Sequence, residues 1–278
     1  MSELRGNVRK MVTAAAGEDS TLHPAYTLPL GEQRLEPNGL IGRELQLRFD
    51  GTINCVACGR ETRKSFNQGY CFPCVRRLPE CDICIVSPEK CHYDAGTCRD
   101  PHWAEDHCMQ PHYVYLSNTS GVKVGITRGS QIPTRWIDQG ATQALPIFAV
   151  RTRHQSGLLE ALLKQHVADR TDWRRMLRGR PEAVDLAARR DELLATCAEG
   201  LEELRERFGA DIEPLDESMV HLDYPVEAYP EKVKSLNFDK TPEVAGTLQG
   251  IKGQYLIFDT GVLNVRKFGG YHLEVRVA

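Results

Sequence analysis

The chain has no long hydrophobic run. No stretch of its 278 residues approaches 18 apolar side chains, and Met1 to Lys10 has no apolar core of the kind a secretory leader carries. A protein without a membrane span is expected, with the cytoplasm as its compartment. Internal repeats and low-complexity tracts are also missing, which excludes solenoid and array architectures. Strong charge of either sign is absent too: the net charge is −3 at pH 7, which argues against a general nucleic-acid binder. Outside one segment the only cysteine is Cys197. What remains is ordinary for a globular protein, 41% hydrophobic and 26% charged, long enough for one large or two to three small domains.

The cysteines that are present crowd together. Cys55 to His112 holds nine of the ten cysteines and four of the nine histidines. It opens with Cys55-x2-Cys58, and Cys71-x2-Cys74 follows. A two-residue gap turns both thiolates of a pair back on one tight knuckle, and two facing knuckles supply four sulfurs to a tetrahedral Zn²⁺. Gly59 follows Cys58 where such a knuckle needs a positive φ. Without a secretory leader, disulfides are the poorer explanation. A second ligand set comes next: Cys81-x2-Cys84, then Cys91 and Cys98, with Cys108 and His112 as further candidates. Any four of these, or of His92, His102 and His107 with them, could close a second zinc site, with Cys81, Cys84, Cys91 and Cys98 the favoured set. Four protein ligands leave no open position for water, so both sites read as structural, with metal replacing a core that the segment's few large apolar residues cannot build.

Charge is unevenly spread. Residues 1–54 are near neutral, residues 55–180 carry 18 Lys/Arg against 12 Asp/Glu, and residues 181–278 carry 11 against 19. The positive middle is what a phosphate-facing module requires. Periodicity divides the chain into a β-rich segment 1–54, a zinc module 55–111, an α/β unit 112–180, a long helix 181–210 and a linker with C-terminal β segment 211–278. The helix is expected to open at Pro181 and end at Phe208 before Gly209, with Leu186, Leu193, Cys197, Leu201 and Leu204 on its apolar stripe. A second helix is expected from a Ser156 cap to Ala168. The two end segments, each too small to stand alone, are expected to pair into one barrel-like domain, so the fold class is α+β.

The unit 112–180 carries chemistry. Tyr113-Val114-Tyr115 and Lys123-Val124-Gly125 lie on a hairpin, Arg135 on a short helix and Glu160 on the next helix. In this order they resemble the GIY-YIG nuclease superfamily, with Lys123 at the second Tyr position as in some branches, and Asp172 near the place of that family's Asn. The resemblance implies Tyr113 or Tyr115 and Lys123 at the attacking water, Arg135 on phosphate and one Mg²⁺ at Glu160. These are the groups phosphodiester hydrolysis needs. The whole chain is also similar to an uncharacterised bacterial family joining CxxC zinc knuckles to a GIY-YIG-like unit. The phrases that carry this are Ser65-Phe66-Asn67-Gln68-Gly69-Tyr70-Cys71-Phe72-Pro73-Cys74, Lys123 to Arg128, and Arg135 to Ala141. The expected partner is nucleic acid, DNA or RNA, gripped by Arg128, Trp136, Arg153, Trp173, Arg174 and Arg175. The expected activity is a metal-dependent endonuclease. The alternatives are a non-catalytic binder of structured RNA or tRNA, or an RNA-modification factor on the same fold.

Overall fold

The computed structural model describes residues 2–18 and 20–277. Strands β1 (Ser2–Asn7), β2 (Val12–Glu18), β3 (Thr21–Leu30), β4 (Gln33–Leu35) and β5 (Glu44–Ile53) precede the cysteine region, which holds helices α1 (Phe72–Arg77) and α2 (Pro101–His107). There follow β6 (His112–Asn118), β7 (Val122–Arg128), α3 (Thr134–Asp138), β8 (Gln143–Val150), α4 (Arg153–Leu163) and α5 (Trp173–Met176). Helices α6 (Leu186–Thr196) and α7 (Ala198–Phe208) lead to β9 (Glu213–Pro214), β10 (Val220–Leu222), β11 (Glu243–Lys252), β12 (Tyr255–Phe258), β13 (Gly261–Asn264) and β14 (Tyr271–Val277). The chain is thus mixed α+β, with two sheets and a cysteine cluster.

The first sheet joins the two ends of the chain in the order β1-β14-β5-β11-β12-β13. Its logic is period two. Along β14, Tyr271, Leu273, Val275 and Val277 are buried while His272, Glu274 and Arg276 turn outward. Glu274 takes Arg48 of the neighbouring β5 at 2.8 Å, the opposite-charge cross-strand pair that fixes register. The expected barrel does not close. Among the described residues β1 and β13 stay at opposite edges, and β2 and β3 leave to join the other sheet.

The second sheet runs β2-β3-β10-β8-β6-β7, with β4 beside β3 and β9 beside β8. It ends in the β6–β7 hairpin, with β7 at the edge, in which Tyr115 faces Gly125 and Ser117 faces Lys123. Pairing with alternation puts Tyr115 and Lys123 on the same face. The β6–β8 ladder slips by one residue between Val114 and Tyr115, with Tyr115 opposite Pro146. A proline that cannot donate sits at this bulge, the feature that re-aims a strand.

Helix ends differ from the periodicity in instructive ways. The first turn of α4 begins earlier than Ser156: Thr152 and Gln155 form a reciprocal capping box, and Ser156 Oγ instead donates to the Arg153 carbonyl. The stripe from Leu186 to Phe208 is carried by two helices meeting at Cys197, not one. Asp185 caps the first by accepting from the Ala188 amide at 2.9 Å, and the residues from Pro181 to Asp185 stay outside. The core has two main parts. One joins both sheets through residues that include Tyr115 and Trp136, and the other packs α4, α6 and α7 on Val114, Leu116 and Phe148. Among the described residues no helix is long and apolar enough to cross a membrane.

Candidate metal centre and buried polar site

Cys55, Cys58, Cys71 and Cys74 bring their sulfurs within 4.8 Å of one another. Cys58 and Cys71 are 3.8 Å apart, and tetrahedral Zn–S bonds of about 2.3 Å imply sulfur separations of about 3.8 Å. Gly59 has φ of +72° and returns its amide to the Cys55 carbonyl at 2.9 Å, closing the first knuckle. The second knuckle is the entry to α1, where the Cys71 amide donates to Cys55 Sγ at 3.2 Å. Burial pushes the Cys55 thiol up, but the backbone amides of Cys58, Cys71 and Ala57 outweigh that and bring it down to about 6. Three of the four are buried. The cluster fits a zinc ion in number, spacing and the backbone N–H groups that meet the Cys55 sulfur.

The later cysteines do not form a second copy of this arrangement. Cys81 lies toward the first cluster, where its surroundings are Asn67, Glu80 and Cys55. Cys84, Cys91, Cys98 and Cys108 line one small cavity together with Asp82 and His92. The ligand atoms of Asp82, Cys84 and His92 lie within 4.8 Å of one another. His112 is outside that lining and fully buried; its Nδ1 meets the Gln110 carbonyl at 2.6 Å and its Nε2 has no partner. Burial lowers it to about 4.

Tyr115, Lys123, Arg135 and Glu160 come together. Tyr115 and Lys123 are 0% and 4% exposed, while Arg135 and Glu160 reach partly to solvent. Burial raises Tyr115, which hydrogen-bonds Arg135 and feels Glu160, and its hydroxyl donates to Gln139 Oε1 at 3.2 Å. Burial, then the Arg135 charge, lowers Lys123 to about 8, against the pull of Glu160 and Asp169. Burial raises Glu160 despite Lys123 and Arg135. Gly125 explains how a tyrosine fits here: a Cβ on it would stand 2.7 Å from Tyr115 Oη. Tyr113, on the same strand face, packs instead over Gly129.

Two further members of this cluster were not evident from spacing. The Val124 amide bonds the Ala168 carbonyl at 2.8 Å, which carries Asp169 to the side of Lys123. Gln139 lies in the phrase Trp136-Ile137-Asp138-Gln139, whose side-chain direction only the fold reveals. Asp172 is engaged elsewhere, capping α5 through the Arg174 and Arg175 amides.

The residues expected on nucleic acid divide. Arg174 and Arg175 are exposed and Arg128 partly so. Trp173 stacks on Tyr255 with centroids 5.9 Å apart and planes 6° apart, and the Arg174 guanidinium lies over its ring. Trp136 is 3% exposed and packs edge-on to Tyr115, so its ring supports the tyrosine and does not face solvent. Arg153 is turned inward, donating to the Ile85 carbonyl at 2.7 Å.

A family model with the description "Protein of unknown function (DUF2797)" matches residues 42–273. No curated protein and no solved structure matches the chain.

Proposed function

We propose that this chain, which belongs to the DUF2797 family, acts on nucleic acid as a metal-dependent endonuclease built on a zinc-stabilised, GIY-YIG-like unit. The observation that carries this reading is the convergence of Tyr115, Lys123, Arg135 and Glu160, contributed by β6, β7, α3 and α4. Buried polar groups without a structural partner call for a reason. The Lys123 side chain lies among Arg135, Glu160 and Asp169 and, among the described residues, not in a structural salt bridge or side-chain hydrogen bond of the fold.

The roles follow from the environments. An amine lowered to about 8 is neutral in part of the population near neutral pH, as a general base must be. Lys123 takes the proton from the attacking water. Tyr115, held protonated by burial, orients that water through its hydroxyl. Arg135 meets the phosphate with its planar fork. Glu160, with Asp169 beside it, is the carboxylate for Mg²⁺, an ion that keeps most of its waters and needs few protein ligands. When bound, Mg²⁺ supplies charge at the phosphate oxygens.

A second reading, a nucleic-acid binder without cleavage, has its own observation. Arg175, Arg178 and Arg180 line a cavity of about 470 Å³ beside the Trp173–Arg174 stack, a combination suited to a phosphate backbone and an unstacked base. One experiment separates the two. Duplex, single-stranded and structured DNA and RNA are incubated with the protein in Mg²⁺ or Mn²⁺. Cleavage that disappears in Glu160→Gln and Lys123→Met supports the nuclease. Binding with no cleaved product from any of these substrates leaves the binder.

A further inference from the structure

Asp82 and Cys84 begin, and His92 ends, the stretch of chain that packs against α4. Their ligand atoms lie within 4.8 Å of one another, the one such group beyond the first cysteine cluster among the described residues. Cys91, Cys98 and Cys108 line the adjoining cavity of about 20 Å³, but their sulfurs do not join this group. We propose that Asp82, Cys84 and His92 hold a second zinc ion, with a water in the cavity as its fourth ligand.

The hydrogen bonds around His92 leave its Nε2 bare. Thr97 Oγ1 donates its single proton to the His92 carbonyl at 3.3 Å. Toward His92 Nδ1, 2.9 Å away, it can then only accept. Nδ1 therefore carries the proton of the neutral imidazole, and Nε2 presents its lone pair. That lone pair faces Asp82 Oδ2 at 3.6 Å, too far for a hydrogen bond. Two acceptors turned toward each other across such a gap call for a cation between them. The width suits zinc: a nitrogen and an oxygen bound to a tetrahedral Zn²⁺ at about 2.0–2.1 Å stand about 3.4 Å apart. Cys84 adds the sulfur that favours Zn²⁺ over the hard cations a carboxylate alone would take.

The surroundings orient these side chains as they do around bound metals. Asp82 is 8% exposed and receives the Arg99 Nε at 2.6 Å. Arg99 is itself anchored on the Val75 and Leu78 carbonyls at 3.0 and 3.1 Å. Thr97 fixes the imidazole from its far side. Such outer hydrogen bonds set the direction of a ligating carboxylate and ring. Three protein ligands leave one position open, and the cavity beside them has room for about one water. No substrate fits there, so the ion serves structure.

What it would hold is the seat of α4. The Ile85 carbonyl accepts from the Arg153 side chain at 2.7 Å, and a Cβ on Gly157 would come within 2.5 Å of Pro88. Ile85 and Pro88 lie between Cys84 and His92, so the ion closes the loop on which α4 rests. This role is independent of what Glu160 on that helix does.

Elemental analysis of full-length protein purified from zinc-replete medium tests the site. Two zinc equivalents per chain are expected in the wild type and one in Cys84→Ser and in His92→Gln. Two are expected in Cys91→Ser and in Cys98→Ser. Zinc-edge X-ray absorption of the wild type needs no variant: an imidazole signature with nitrogen and oxygen at about 2.0–2.1 Å should accompany sulfur at about 2.3 Å. Amide exchange across residues 153–163 should quicken in His92→Gln. One equivalent in the wild type overturns the proposal and makes His92 an imidazolium paired with Asp82. A sulfur-only zinc shell overturns it too, as do two equivalents retained in both Cys84→Ser and His92→Gln. Unchanged exchange in α4 on loss of the ion overturns the seating role.

Discussion

Residues 55–111 and 112–180 adjoin in sequence yet are held together differently. The first stretch leaves Phe72, Ile83 and Val86 at 54%, 55% and 78% exposure, and buries Cys55, Cys71, Cys74 and Cys108. Its helices are six and seven residues long, too short to persist on propensity alone. The second buries Val114, Tyr115, Leu116, Val124, Leu145, Ile147 and Phe148 and seats α4 on that sheet. One region is built around side chains fit to hold an ion, the other around packing. Packing can hold a lysine where water would otherwise relax it. The candidate reactive groups stand in the packed region, and the cysteine-rich region lies against its edge, the Arg153 amide of α4 bonding the Cys108 carbonyl at 2.8 Å.

The largest expected effect breaks the comparison at its ligand-held side. Cys71→Ser removes one ligand of the first cluster and should release one zinc. Structural zinc carries coupled folding energy on the order of 10 kcal/mol, so residues 55–111 should become open to protease while 112–180 survives as a resistant fragment. Limited proteolysis with mass analysis reads this directly. Digestion of both regions at equal rates would mean that the packed unit depends on the metal as much as its neighbour does.

Next comes Lys123→Met, which keeps most of the apolar stem and removes the proton acceptor. Cleavage should fall by roughly 10²–10⁴, the usual worth of a positioned base. Stability should move the other way. Folding holds Lys123 near 8, below its ordinary 10.5. Below about 8 both states carry the proton and the folded state bears the full cost of burying it. Between about 8 and 10.5 only the unfolded chain is protonated, so this group's contribution to stability rises with pH. The Met variant should therefore be at least as stable as wild type at pH 7, and its stability should lack the rise above pH 8. Wild-type cleavage should increase with pH through about 8. A Met variant that melts earlier at pH 7 would assign Lys123 to the fold.

A smaller effect probes the packing around Tyr115. Gly125→Ala puts a methyl 2.7 Å from Tyr115 Oη and 2.8 Å from its Cζ, overpacking that costs about 1–3 kcal/mol. Tyr115→Phe removes the hydroxyl that meets the methyl first, so the double variant should recover part of the loss. Denaturant midpoints for the four proteins form a cycle whose coupling is near zero if the two residues do not press on each other.

How far the sequence foretold these sites depends on how local each signal was. Cys55, Cys58, Cys71 and Cys74 are legible because a CxxC pair closes its own knuckle within a few residues. The strands of the last 40 residues are legible because alternation is written into them, as in Tyr271, Leu273, Val275 and Val277. Long-range partners are not. Nothing near Cys81 says that it turns toward Cys55 while Cys84 turns toward Cys108, and the burial of Trp136 depends on a sheet made from strands a hundred residues away. The break at Cys197 was hidden because the apolar stripe continues through it. Asp169 gains its place only through the bond between Val124 and Ala168.

The smallest expected effect belongs to the basic surface, and it sharpens the comparison by asking which region meets the ligand. Arg175 and Arg178 are exposed and line the same cavity. Each, if it meets a phosphate, should contribute one counterion to the salt dependence of binding. Arg175→Ala and Arg178→Ala should each flatten the slope of log affinity against log salt by about 0.7 for a single strand or 0.9 for a duplex, with a loss of affinity under tenfold near physiological salt. Trp173→Ala should behave differently. Its ring packs beside Tyr255 and under the Arg174 guanidinium, so removing it should cost affinity for single strands more than for duplex and leave the salt slope nearly unchanged. Arg190, held by Asp191 at 2.9 Å in the acidic region, is the control, and Arg190→Ala should change neither quantity. Fluorescence anisotropy titrations over a series of salt concentrations distinguish these cases. A slope lowered equally by Arg190→Ala and Arg175→Ala would mean that the ligand responds to overall charge, with no surface of its own at 170–180.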